Sequence, residues 1–116
     1  MERECPISNL LHLESSDEFK GALEEAGDTP IVFDIWASWC GPCMRVGPTF
    51  EELAGNFEGR MIFAKLNADQ AIDVLQELGV RSIPTFMLFR NGDEVDRLTG
   101  ACDKRTLSNF IEQVFQ

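Results

Sequence analysis

The chain has 116 residues, of which ten are Lys or Arg and twenty are Asp or Glu, giving a formal net charge of −10. That balance opposes binding to phosphate backbones and to anionic lipid, so nucleic acid and membrane surfaces are excluded as expected partners. No stretch approaches the ~20 apolar residues of a membrane span, and the length suits one domain over residues 1–116.

Residues 1–8 are expected to form a flexible N-terminal segment, and Asn9 to Leu13 a short strand. Ser15 and Glu18, three positions apart, make a capping-box start for a helix that turns Phe19, Ala22, Leu23 and Ala26 inward and ends at Gly27. Ile31 to Trp36 is an almost continuous apolar run, the pattern of a strand buried on both faces of a parallel sheet. A long helix follows from about Cys40, with Val46, Phe50, Leu53, Ala54 and Phe57 at helical spacing. Pro48 within it removes one backbone hydrogen bond and predicts a kink near Met44. Met61 to Asn67 reads as the next strand, Asp69 as an N-cap, and Ala71 to Leu78 as a helix closed by Gly79. Thr85 to Phe89 and Glu94 to Leu98 flank Asn91-Gly92, the strongest short-range hairpin signal. Asp103 is positioned to cap a last helix with Leu107, Phe110, Ile111, Val114 and Phe115 inward. The order βαβαβαββα predicts an α/β fold: a central mixed sheet with helices on both faces.

Chemistry concentrates at Trp39-Cys40-Gly41-Pro42-Cys43, between the buried strand and the long helix. Two thiols three positions apart in the first turn of a helix share one face, so they can close a short disulfide and reopen it. The first also meets the unpaired N–H groups and the positive end of the helix, which favour its thiolate. Cys40 is therefore read as the nucleophile and Cys43 as the resolving thiol. Pro42 suits the first turn, where a missing N–H is no loss. A zinc site would need further ligands, and only the scattered Cys5, Cys102 and His12 remain, so no metal is expected. The start Met1-Glu2-Arg3-Glu4-Cys5-Pro6 lacks an apolar signal-peptide core, and four cysteines without an export signal point to free or redox-active thiols in a reducing compartment such as the cytoplasm.

With these residues in view the chain resembles the thioredoxin family from the first strand to the last helix. The likeness rests on Phe33-Asp34-Ile35-Trp36-Ala37-Ser38-Trp39-Cys40-Gly41-Pro42-Cys43, Ala64-Lys65-Leu66-Asn67-Ala68-Asp69, Ile83-Pro84-Thr85, Asn91-Gly92 and Gly100. The resemblance implies a protein-disulfide reductase with no bound cofactor beyond the redox-active Cys40–Cys43 pair. Its partners would be disulfide-containing proteins, and thioredoxin reductase or another dithiol donor. Asp34, a carboxylate in an apolar strand, is by its residue type alone as consistent with an edge position as with a buried one. The resemblance puts it beneath the dithiol near Lys65, moving the proton of Cys43. It also implies a cis Ile83–Pro84 bond and a docking surface formed by Trp39, Gly41, Pro42, Ile83, Pro84 and Gly100, with Trp36 and Pro48 in structural roles beside the site.

The chain departs from the family pattern where Met44-Arg45 follows the dithiol, displacing the usual basic residue by one position, and in the additional Cys5 and Cys102. Cys102 is a candidate for linking two copies of an otherwise monomeric protein on oxidation, although Asp103 beside it should discourage its thiolate. Cys5 is read as incidental and His12 as a satisfied or surface imidazole. Two other readings stay open at this stage, a disulfide isomerase or oxidase of the same fold and a redox-gated protein-binding module.

Overall fold

The computed structural model describes residues 10–115, so Asn9, Cys5 and the expected flexible segment lie outside the described residues. The elements run β1 (Leu10–Leu13), α1 (Ser16–Ala26), β2 (Ile31–Trp36), α2 (Gly41–Asn56), β3 (Ile62–Asn67), α3 (Ile72–Leu78), β4 (Thr85–Arg90), β5 (Asp93–Thr99) and α4 (Lys104–Glu112). The predicted α/β order is observed. Strands stand in the order β1-β3-β2-β4-β5, with β3 parallel to both β1 and β2, and β4 antiparallel to β2 and β5.

Local signals act as the chemistry of each end requires. Ser15 accepts a hydrogen bond from the Glu18 N–H at 3.1 Å, and the Glu18 carboxylate reaches back to the Glu14 N–H at 2.7 Å, so two donors at the start of α1 are satisfied. Asn91 and Gly92 both take positive φ, 56° and 81°, the conformation that lets a two-residue turn join β4 to β5 without splaying them. α2 continues as one helix through Pro48, so the predicted kink near Met44 does not divide it.

β2 is buried along nearly its whole length because apolar layers cover both sides of it. Phe33 and Ile35 face a cluster with Phe19 and Ala22 of α1 and Val74 of α3, while Val32 joins Phe50, Leu53, Leu107 and Ile111 of α2 and α4. Side chains alternate along a strand, so Asp34 and Trp36 share the α2 face with Val32. Register then sets Lys65 of β3 and Phe86 of β4 on either side of Asp34.

Three expectations are corrected. Asp69 does not cap α3: Ala71 stands at the N-cap without a side-chain bond, and Asn67 caps the preceding 3-10 turn by accepting the Asp69 N–H at 2.9 Å. Phe115 is not inward but 40% exposed, because the chain leaves the α-helical register in the 3-10 turn Gln113–Phe115. Its ring stacks on Phe57 and carries the Arg60 guanidinium at 4.5 Å. Leu23 is only half-buried at the edge of its cluster.

Candidate active site

Cys40 leaves β2's loop in an extended conformation and becomes the N-cap of α2, its own sulfur accepting the Cys43 N–H at 3.2 Å. Pro42 occupies the first turn beside it, where no N–H is needed. Cys40 and Cys43 are joined as a disulfide with their Cα atoms 5.3 Å apart. Neither sulfur stands open. Cys40 is 6% exposed and Cys43 2%, so access differs little between them, and the cap position distinguishes the two more sharply than exposure does. A sulfur that already accepts a helix N–H has a donor in place for its anion.

Ile83–Pro84 is cis. The Ile83 carbonyl oxygen lies 3.9 Å from Cys40 Sγ, and Ile83 packs on the small cluster formed by Ala37 and the two cysteines. Gly100, at φ +99°, donates its N–H to the Pro84 carbonyl at 2.8 Å, which fixes that loop against the start of β4. Trp39 is 69% exposed, and its indole N–H donates to both carboxylate oxygens of Asp69, at 3.1 and 3.2 Å. Here is the actual work of Asp69. Trp39 and Ile83 line a groove of about 350 Å³ with Ala68, Leu75, Val80, Arg81 and Ser82. Gly41 stands at the start of α2 and Gly100 beside Pro84, and neither is among the residues lining this groove.

Asp34 is fully buried, and neither of its carboxylate oxygens has a hydrogen-bond partner among the described residues. Burial pushes its pKa up to about 7, with Lys65 opposing the rise and Glu51 adding to it. Lys65 is nonetheless not Asp34's ion-pair partner. Its ammonium lies 3.6 Å from a Glu51 oxygen and 5.1 Å from the centre of the Trp36 ring. Trp36 is half-buried against the Ala37–cysteine cluster and also seats the lysine. Arg45 folds back over the first turn of α2, so that a side chain added at Gly41 would meet its guanidinium at 3.4 Å.

Sequence reasoning named Arg45 beside the dithiol but missed Glu51, and missed Asp69 as the partner of Trp39. Only Arg45 carried a local signal, its position on the turn after Gly41. His12 is exposed on β1, as expected. Cys102 is half-buried against the core between sheet and α4, and its thiol pKa is raised by burial and then by Asp103. Cys102→Ser should accordingly leave disulfide reduction within about twofold of wild type, and Cys102 should alkylate slowly at neutral pH. A large loss of activity in that variant would show that Cys102 acts in turnover.

The Thioredoxin family model matches residues 10–113. The chain is 44% identical over 86 residues to thioredoxin 1 of Nostoc sp., covering 74% of this chain and 80% of that one. To the thioredoxin of Haemophilus influenzae it is 41% identical over 107 residues, covering 92% and 98%. Among solved structures, the thioredoxin of Malassezia sympodialis superimposes with a TM-score of 0.80 at 37% identity, over 90% of this chain and 91% of its own. Matched over nearly its full described length in both sequence and fold, and carrying its cysteine pair closed at the start of α2, the chain belongs to the thioredoxin family and is a thiol–disulfide oxidoreductase.

Proposed function

We propose that the protein runs in the reducing direction, with Cys40 as nucleophile. The Cys40 thiolate attacks one sulfur of a substrate disulfide, the substrate S–S bond breaks, and the first substrate thiolate departs. Cys43 then gives its proton to Asp34 and attacks Cys40 Sγ, closing the Cys40–Cys43 disulfide and releasing the second substrate thiolate. Two electrons pass from the dithiol to the substrate. The observation that carries the reading is the Cys40 sulfur held as the cap of α2 by the Cys43 N–H, beside the Ile83 carbonyl.

The remaining site residues follow from that. Trp39 and Ile83 offer an apolar groove, and the backbone at Ile83–Pro84 a place for an extended segment to pair, with Gly41, Pro42 and Gly100 lending small or rigid surface around the sulfur. This favours loops and unfolded segments of proteins over one small molecule. Lys65 opposes the burial of Asp34's charge, while Trp36 and Pro48 serve structure. The protein works as a cytoplasmic monomer in electron transport, reloaded by thioredoxin reductase or another dithiol donor, and Cys102 links copies only on oxidation. No helix among the described residues is long and apolar enough to cross a membrane.

Reduction of a protein disulfide, followed with NADPH and a panel of candidate donors, tests the reading. Repeated turnover with at least one donor is the expected result. One-time capture of a partner without turnover would instead identify a redox-gated binding module, and a strongly oxidising measured potential an oxidase or isomerase.

A further inference from the structure

A row of side chains crosses the sheet beneath α2: exposed His12 on β1, Lys65 on β3, Asp34 on β2 and Phe86 on β4. Lys65 is the cation in register with the buried Asp34, yet its ammonium is drawn to Glu51 of α2, 3.6 Å away. The Lys65 side chain is 12% exposed and that of Glu51 45%, so the pair bridges from the interior to solvent. Gly47 lies one helical turn before Glu51, on the same face. It makes room for this arrangement, since a Cβ there would meet Lys65 Nζ at 3.4 Å. The Trp36 ring supplies the other side of the seat, at 5.1 Å. Asp34 is left with two partnerless oxygens.

We propose that Glu51 is a positioning residue, which holds Lys65 in the seat formed by Gly47 and Trp36 and so keeps the row's cation from pairing with Asp34. With the Glu51 end of the pair half-exposed and screened by water, the pair is worth little to stability, so its effect is expected on Asp34 instead of on the fold. Burial holds the acid's pKa up at about 7, the pull of Lys65 from its seat being too weak to cancel it. Among the described residues, β4 presents Phe86 here and α4 turns Leu107, Phe110 and Ile111 inward, while its Lys104 is held by Glu52 at 2.7 Å; the Cys43 thiol is the other titratable group that the reduced protein brings to Asp34. The consequence for turnover rests on Asp34 being the acceptor of the Cys43 proton, as proposed above.

The test follows the carboxyl carbon of Asp34 by NMR across pH in the reduced full-length protein, with His12→Asn as a control for the row's exposed imidazole. Glu51 is half-exposed, so its variants should fold. In Glu51→Gln the freed lysine can approach Asp34, and the titration midpoint should fall by about one unit or more, the size expected for a cation brought within roughly 4–6 Å. Glu51→Asp, which keeps the charge, should recover part of the wild-type midpoint. In a Lys65→Met background Glu51→Gln should move the midpoint by less than half as much. An unchanged midpoint in Glu51→Gln would overturn the proposal, as would an equal fall in the Lys65→Met background, which would mean that Glu51 acts by its own charge. The pH profile of mixed-disulfide resolution is read separately. If the midpoint moves and that profile does not, the role of Asp34 as proton acceptor fails while the Glu51–Lys65 coupling stands.

Discussion

Cys40→Ser should reduce protein-disulfide turnover to the uncatalysed background, whereas Cys43→Ser should still attack and accumulate a mixed disulfide with its substrate. The asymmetry does not come from exposure, since 6% and 2% are both nearly closed. It comes from the cap: Cys40 Sγ is the atom that accepts the Cys43 N–H, so negative charge is stabilised there and not on the sulfur one turn into the helix. Serine at Cys40 keeps the cap but has no accessible anion at neutral pH, so no substrate S–S bond is broken. Mass spectrometry of both variants after incubation with a disulfide protein would decide the matter. Equal trapping by the two would overturn the assignment of nucleophile.

Asp34→Asn should make the protein more stable and a poorer catalyst. Folding raises the Asp34 pKa from 3.8 to about 7. Below the unfolded value both states hold the proton and the residue is neutral to stability. As pH rises above it the unfolded chain ionises while the folded chain does not, so stability falls by about 1.4 kcal/mol per unit until the folded pKa is passed. The total is about 4 kcal/mol near neutral pH, more than burying a Leu or Phe side chain contributes. Asparagine removes that ionisation, and its amide has unmet donors much as the neutral acid does, so the gain should approach the same about 4 kcal/mol above pH 7 and vanish near pH 3. Resolution should slow by about a hundredfold, the lower end of what general-base assistance provides. Denaturant melts at several pH values with stopped-flow reduction check both halves, and a destabilised variant with unchanged kinetics would sink the role.

Much of this was legible in the chain because the relevant signals are short-range. The Ser15–Glu18 box, the Asn91-Gly92 turn and the cysteine pair at the start of α2 each involve residues within one turn of one another, where spacing fixes geometry. The continuous apolar run of β2 told that both faces are covered, but not on which side Asp34 lies, because parity acquires meaning only once α2 has packed. The misses have the same origin in reverse. Asp69 was read as a cap from its neighbours, while its partner Trp39 stands thirty positions earlier. The resemblance put Asp34 near Lys65 and the strand register does set the two side by side, yet a side chain as long as lysine reaches carboxylates on other elements, and Glu51 of α2 is the one it meets. Phe115 kept the spacing of an inward stripe that the backbone had already abandoned at Gln113.

A helix is ordinarily capped by a side chain that takes no part in anything else, but α2 is capped by the atom that reacts. Fraying of its first turn would withdraw the donor that steadies the sulfur anion. Local order at this end of the helix and nucleophilicity are therefore a single quantity. A substitution that loosens Gly41-Pro42 would quench the thiolate without touching either cysteine.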